Sequence, residues 1–144
     1  METKKTIEIK DIIEEAEIFC REQSNINHAE LLGITDGKAV GTYVEHKFKN
    51  FLSNRYDIEI GNSASGIDLP SKDINTDIKV TSIRQSQSSC PYKSSRQKIY
   101  GLGYNLLVFV YDKIDSENIC NLQFLNCTFV NMNRTLIIQR QKEL

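Results

Sequence analysis

The feature that most limits how this chain can fold is a nearly continuous apolar segment from Tyr104 to Tyr111. Successive side chains of a strand point to opposite faces of its sheet, so a half-exposed strand alternates between apolar and polar residues. A segment without that alternation predicts a strand whose two faces are both covered. The sequence therefore predicts a sheet that has a central strand at 104–111.

Two segments in the first half of the chain repeat apolar residues at three- and four-residue steps, which is typical of amphipathic helices. They predict one helix over 6–24 and a second over about 35–54. A short helix is predicted over 28–32, with His28 as a surface or capping residue. The last part of the chain predicts a helix over 134–143.

Short runs that are rich in β-branched and aromatic residues predict further strands at 56–60, 76–81 and 122–130. A turn is predicted over 112–116, and a short helix over about 95–100. The sequence has no internal repeat or linker, and its 144 residues suit one domain with one core. We therefore expect a single domain over 1–144.

Two aspartates and a lysine lie in the segment that runs from residue 67 to residue 81. Because strand side chains alternate, Asp77 and Lys79 project from the same face, about 7 Å apart along the strand. Asp68 comes earlier, and Pro70 with the polar residues 71–73 predicts a turn that folds the first segment back on the second. The three side chains would then meet at a site suited to a divalent metal and a water. The alternative is that Asp77 and Lys79 form only a surface ion pair, which contributes little to stability.

Glu45 lies at the edge of the apolar stripe of the second predicted helix. A carboxylate at that position either reaches solvent or points to a polar site beneath the helix. The presence of Asp68 and Asp77 favours the second interpretation.

Basic residues are concentrated in one segment, although the formal net charge of the chain is only −1. No acidic residue lies between Asp77 and Asp112, whereas five basic residues do: Lys79, Arg84, Lys93, Arg96 and Lys98. A positive segment directly after two carboxylates suits a protein that binds the phosphate backbone of a nucleic acid. A solvated basic face is the alternative.

The cysteines and the hydropathy pattern indicate a cytoplasmic protein. The four cysteines form no Cys-x-x-Cys pair and have no histidine close in sequence, so we expect reduced thiols. No apolar run approaches the length of a membrane span, and the charged N-terminus differs from a signal peptide. With only two histidines, a histidine-rich metal site or a Ser-His-Asp triad has little support.

The order of these elements resembles the PD-(D/E)xK nuclease superfamily. Glu45 on a helix, Asp68 on a strand and Asp77-Ile78-Lys79 on the next strand carry the likeness, which covers roughly residues 36–112. Gly37 to Glu45 and Ser65 to Pro70 are particularly similar to type II restriction endonucleases. In this sequence the proline follows Asp68 instead of preceding it. The chain is also short for a complete restriction enzyme, which leaves open both a minimal form and a C-terminal truncation.

The resemblance implies an α/β fold, with a restriction-endonuclease-like mixed β-sheet core flanked by helices. It implies Mg²⁺-dependent hydrolysis of double-stranded DNA at a specific sequence. We expect a homodimer, and whether a dimer is needed to cut both strands stays open at this point. Asp68, Asp77 and the Ile78 carbonyl would bind Mg²⁺, and Lys79 would orient the attacking water. Glu45 would hold the metal through water or help to form a second metal site.

DNA contacts are expected in the basic segment, whose side chains suit both base edges and phosphates. The candidates are Arg84, Gln85, Gln87, Lys93, Arg96, Gln97 and Lys98. Two alternatives to a restriction enzyme stay open at this point: a repair or junction nuclease of the same fold, and a non-catalytic nucleic-acid-binding module.

Overall fold

The computed structural model describes residues 3–61, 66–84 and 103–132, and the backbone of 137–141. Within these ranges no helix has both the length and the apolar character that crossing a bilayer requires. The elements are, in chain order, β1 (Lys5–Thr6), α1 (Ile9–Gln23), a short 3-10 helix (Ala29–Leu31), α2 (Gly37–Arg55), β2 (Tyr56–Asp57), β3 (Thr76–Ser82), β4 (Asn105–Asp115), β5 (Cys120–Val130) and β6 (Ile137–Gln141).

The main sheet has four strands in the order β3-β4-β5-β6. Strand β3 runs parallel to β4, while β4 and β5, and β5 and β6, are antiparallel. Strands β1 and β2 form a separate parallel pair. This mixed sheet with helices packed against it confirms the predicted α/β fold class.

Strand β4 has buried side chains on both of its faces, as its apolar run predicted. Leu107 and Phe109 point to the face that carries the helices, where they join the main core. Leu106 and Val108 point to the opposite face and are equally buried. Both long helices, α1 and α2, pack on the first face, and the helix predicted near 95–100 lies outside the described residues.

Four phenylalanine rings join the two helices to the sheet. Phe19 of α1 lies 5.1 Å from Phe48 of α2, measured between ring centroids, and Phe48 lies 5.1 Å from Phe109 of β4. Phe124 of β5 completes the cluster at 6.0 Å from Phe109. Edge-to-face pairs of this kind add to the stabilisation that burial provides. The cluster fixes α2 relative to the sheet, and α2 carries Glu45.

Two predictions about the second half of the chain are wrong. The residues expected in a terminal helix include β6, because Ile137–Gln141 pairs with Asn126–Val130 along the edge of β5. The predicted turn at 112–116 is mostly strand, since β4 continues to Asp115 before the chain reverses. In both places pairing with β5 outweighs the local preference that the sequence pattern expresses.

His28 was expected as a surface or capping residue. It stands at the N-cap position of the 3-10 helix, but its side chain makes no capping hydrogen bond and the residue is 2% exposed. Its Nε2 lies 2.8 Å from the Gln23 carbonyl oxygen, and its Nδ1 lies 2.8 Å from the Tyr43 hydroxyl. Because a carbonyl oxygen only accepts, Nε2 carries the proton and Nδ1 accepts from Tyr43. The histidine therefore links the end of α1 to α2 and has a structural role in the described contacts.

Candidate active site

A hairpin brings Asp68 against strand β3, as the turn residues predicted. Leu69 and Thr76 exchange two backbone hydrogen bonds, each of 2.9 Å. The turn between them includes Asn75, whose φ of 34° lies in the left-handed region that asparagine adopts more readily than most residues. This pairing places Asp68 beside Asp77 and Ile78.

Backbone hydrogen bonds fix the two aspartates relative to each other. The Asp68 amide donates to Asp77 Oδ1 over 3.2 Å, and the Ile78 amide donates to Asp68 Oδ2 over 2.8 Å. Each carboxylate therefore has one oxygen held by the backbone of the partner segment. Such charge-assisted bonds orient the side chains without help from a ligand.

Lys79 lies on the same face of β3 as Asp77, and its Nζ is 3.2 Å from Asp77 Oδ2. The Ile78 side chain points to the other face and is buried in the main core. Asp77 is almost buried, whereas the Lys79 side chain is 36% exposed. The lysine therefore remains accessible to a ligand while its partner carboxylate is held in place.

Helix α2 supplies the third carboxylate, together with a lysine that the sequence reasoning missed. Lys49 Nζ lies 2.9 Å from Glu45 Oε1 and 2.7 Å from Asp68 Oδ1. The Lys49 side chain is only 11% exposed. Its spacing of four residues from Glu45, one helical turn, was the available signal.

These side chains line one cleft of about 620 Å³. Its walls come from α2, from the hairpin and from β3, and they include Glu45, Lys49, Asp68, Asp77, Ile78 and Lys79. The structure therefore brings together all five residues that the sequence analysis proposed for catalysis and metal binding.

Crowding of the carboxylates separates their pKa values. Burial and the neighbouring Asp68 raise the pKa of Glu45 to about 7. Burial and Asp68 likewise raise the pKa of Asp77 to about 6. Burial opposes ionisation of Asp68 too, but hydrogen bonds from Asp77, Glu45, Lys49 and the Ile78 amide keep its pKa well below the usual range. One carboxyl group is thus firmly ionised, and its charge disfavours ionisation of the other two.

The cations of the cleft stay protonated. Burial acts to lower the pKa of Lys49, but Asp68 and Glu45 raise it above its ordinary value. Burial acts in the same way on Lys79, and Asp77 raises its pKa. Both lysines are therefore ammonium groups at neutral pH and donate hydrogen bonds.

The donor set of the cleft fits a hard divalent cation. Within the described ranges no three His, Cys, Asp or Glu side chains already stand as a metal-binding cluster. The three carboxylates do provide the oxygen ligands that such cations prefer. Burial and the neighbouring Asp68 raise the pKa values of Glu45 and Asp77, and a cation would favour their ionised forms. The residues therefore fit a metal once Lys49 and Lys79 share or release the oxygens that they contact.

Of the predicted DNA contacts, only Arg84 belongs to the described residues. Its guanidinium is exposed and pairs with the Asp112 carboxylate on β4, through both Nε and Nη2. The other six lie outside the described residues: Gln85, Gln87, Lys93, Arg96, Gln97 and Lys98.

Comparison with known proteins finds a matching family and a similar protein. The family described as type II restriction enzyme NspV matches residues 6–144 of the chain. The chain is also similar to the type II restriction enzyme NspV of Nostoc sp. (strain ATCC 29411 / PCC 7524), with 54% identity over 127 residues. The alignment covers 87% of this chain and 57% of the relative, so the chain spans little more than half of the relative's length. No solved structure matches the chain.

Proposed function

This chain belongs to the NspV family of type II restriction enzymes, and we propose that it is a Mg²⁺-dependent endodeoxyribonuclease. Its substrate is double-stranded DNA, whose phosphodiester bonds it hydrolyses at a specific sequence. The observation that carries the proposal is the convergence of Glu45, Asp68, Asp77 and Lys79 in one cleft. Carboxylate oxygens can hold a divalent metal, and an ammonium can stabilise developing negative charge; both are roles that metal-assisted phosphodiester hydrolysis uses.

Asp68, Asp77 and the Ile78 carbonyl are the proposed Mg²⁺ ligands. The Ile78 amide points to Asp68, and in a strand the amide and carbonyl of one residue point to the same side. Its carbonyl oxygen is therefore available at the edge where the two carboxylates meet. Asp68, Asp77 and this carbonyl would hold Mg²⁺, which would polarise a phosphate oxygen and lower the pKa of a coordinated water.

Lys79 orients the attacking water and stabilises negative charge on the phosphoryl group. Its raised pKa keeps it protonated, so it acts as a hydrogen-bond donor and not as a general base. Asp77 holds it at 3.2 Å, which restricts where the ammonium can lie. Glu45, on the other wall of the cleft, holds the metal through water or helps to form a second metal site.

The remaining parts of the proposal concern the whole enzyme. The basic segment that begins at Arg84 contacts phosphates and base edges, and a homodimer presents one cleft to each DNA strand. Residues 1–144 form one domain, and the protein works in the cytoplasm, where its DNA substrate lies.

The proposal is tested by incubating the protein with unmethylated plasmid DNA, with MgCl₂ or with a chelator. We expect discrete fragments with MgCl₂ only, and a loss of cleavage of at least about 100-fold in Asp77→Asn or Lys79→Met. Asp73→Asn is the matched control, because Asp73 is exposed in the turn of the same hairpin and lies outside the cleft.

Three results would contradict the proposal. Full cleavage by Lys79→Met would remove the proposed role of the ammonium. Magnesium-independent DNA binding without cleavage, unchanged by Asp77→Asn, would favour a non-catalytic binding module. A strong preference for branched over linear DNA would instead indicate a junction nuclease.

A further inference from the structure

Lys49 occupies the space between two carboxylates that belong to different elements. Its Nζ is 2.9 Å from Glu45 Oε1 on its own helix and 2.7 Å from Asp68 Oδ1 on the hairpin. The side chain lines the cleft and is buried, so its charge is poorly solvated. A charged group in such a place is stabilised by the two carboxylates that it contacts.

The two oxygens of Asp68 have different partners, and this difference decides what Lys49 does. Asp68 Oδ2 accepts from the backbone amide of Ile78 at 2.8 Å, so it is fixed by the fold of the hairpin. Asp68 Oδ1 is the oxygen that faces Lys49, at 2.7 Å. A metal that binds Asp68 through Oδ1 therefore meets the oxygen that the ammonium already contacts.

An ammonium and a divalent cation repel each other strongly at such short range, particularly in a partly buried cleft. The Lys49 ammonium and the metal therefore cannot both contact Asp68 Oδ1 closely. The lysine has a flexible four-carbon stem, and the cleft that adjoins it gives the ammonium room to move. Displacement of Lys49 is thus sterically simple and costs mainly its two ion pairs.

We propose that Lys49 is an internal competitor of the metal. This inference rests on the proposed function, since it concerns the same metal site. In the metal-free protein the ammonium holds Glu45 and Asp68 together, and it leaves Asp68 Oδ1 when a divalent cation binds. Lys49 therefore keeps the carboxylates in position and at the same time weakens metal affinity, which sets the metal concentration at which the site fills.

A purely structural ion pair leads to a different expectation. If Lys49 only held the cleft together, its removal would disorder Glu45 and Asp68 and would weaken metal binding. If Lys49 competes with the metal, its removal makes binding tighter while the metal-free protein becomes less stable. The two roles predict opposite changes in metal affinity when Lys49 is removed, so a measurement of metal affinity distinguishes them.

The experiment is a titration of the protein with Mn²⁺ alone, in which free Mn²⁺ is followed by electron paramagnetic resonance at about pH 8.5, where protons compete least for the carboxylates. We expect Lys49→Met to bind Mn²⁺ about tenfold more tightly than the wild type. Lys49→Arg keeps the charge and should bind no more tightly than the wild type. Lys47→Met is the matched control, since it removes a positive charge from the same helix at a side chain that lies over the Tyr43 ring.

Thermal unfolding in a chelator provides the second measurement. Lys49→Met should unfold at a lower temperature than the wild type without metal, and Mn²⁺ should raise its unfolding temperature by more. Equal or weaker Mn²⁺ binding by Lys49→Met, with wild-type binding that Asp68→Asn abolishes, would overturn the role of Lys49 and leave the metal site standing. Absence of Mn²⁺ binding in the wild type and in Lys49→Met would overturn the metal site itself, and the inference with it.

Discussion

At the scale of single residues, the cleft contains three neighbouring carboxyl groups whose pKa values differ. Asp68 is ionised because the Ile78 amide and Lys49 hold its two oxygens. Glu45 and Asp77 lie next to that charge and resist ionisation. Separation of pKa values among neighbouring acids is common where a site binds a cation or moves protons.

The shifted pKa values of the three carboxyl groups predict how the stability of the protein depends on pH. The pKa of Glu45 rises from 4.5 to about 7, and that of Asp77 from 3.8 to about 6. Between these limits the folded protein holds protons that the unfolded chain has lost, so this contribution to stability disappears as pH rises from about 4 to about 7. Asp68 has the opposite sign, and its contribution is lost only in more acidic solution.

A bound cation favours the ionised carboxylates, so the increase in unfolding temperature caused by MgCl₂ should be small near pH 5 and larger near pH 8. Thermal unfolding with MgCl₂ or with a chelator at each pH measures this difference. Glu45→Gln, which cannot titrate, should reduce the pH dependence. An increase of the same size at both pH values would contradict the assignment of these carboxylates to a metal site.

At the scale of the elements, helix α2 links the hydrophobic core to the cleft. Phe48 is fully buried between Phe19 and Phe109, while Glu45 and Lys49, its near neighbours, line the cleft. Packing of α2 against the sheet therefore fixes the position of the Glu45 carboxylate. A loss of packing there should affect both stability and the site.

We predict that Phe48→Ala lowers the free energy of unfolding by about 3–5 kcal/mol, because it removes a buried ring and leaves a cavity. Ile114→Ala is the control, since Ile114 is 45% exposed, and we expect a change within about 0.5 kcal/mol. Urea unfolding followed by circular dichroism measures both values. Similar effects of the two substitutions would show that Phe48 does not anchor α2.

Local patterns in the sequence were sufficient to predict α1, α2, the Asp68 hairpin and the buried strand β4. Each of these depends on residues that are close in the chain, such as Asp36, which caps α2, or the turn that contains Asn75. Strand β6 and the burial of His28 depend on partners far along the chain, which periodicity does not reveal. Lys49 was missed because its burial follows from Asp68, a partner on another element.

At the scale of the whole molecule, the cleft lies where a helix, a hairpin and the edge of a mixed sheet meet. Strand β3 pairs with β4 on one side, and on the other side Thr76 pairs with Leu69, the neighbour of Asp68 in the hairpin. Beyond that bridge no strand of the described residues pairs with β3, which leaves space for a large substrate beside the carboxylates. A homodimer with two such clefts would reach both strands of a duplex.

If a homodimer cuts both strands, supercoiled plasmid with one recognition site should become linear without a large amount of nicked circle. Sedimentation at the protein concentration of the assay should then give twice the mass of the chain. Accumulation of nicked circle by a monomer would contradict the dimer.

The central claim is that Asp68 and Asp77 bind a divalent metal beside Lys79. The most direct measurement is a crystal structure of the protein with Mn²⁺, in which anomalous scattering locates the ion. The account predicts an ion about 2.2 Å from oxygens of Asp68, Asp77 and the Ile78 carbonyl, with Lys49 withdrawn from Asp68. An ion bound elsewhere, with the ammonium of Lys49 still between Glu45 and Asp68, would contradict it.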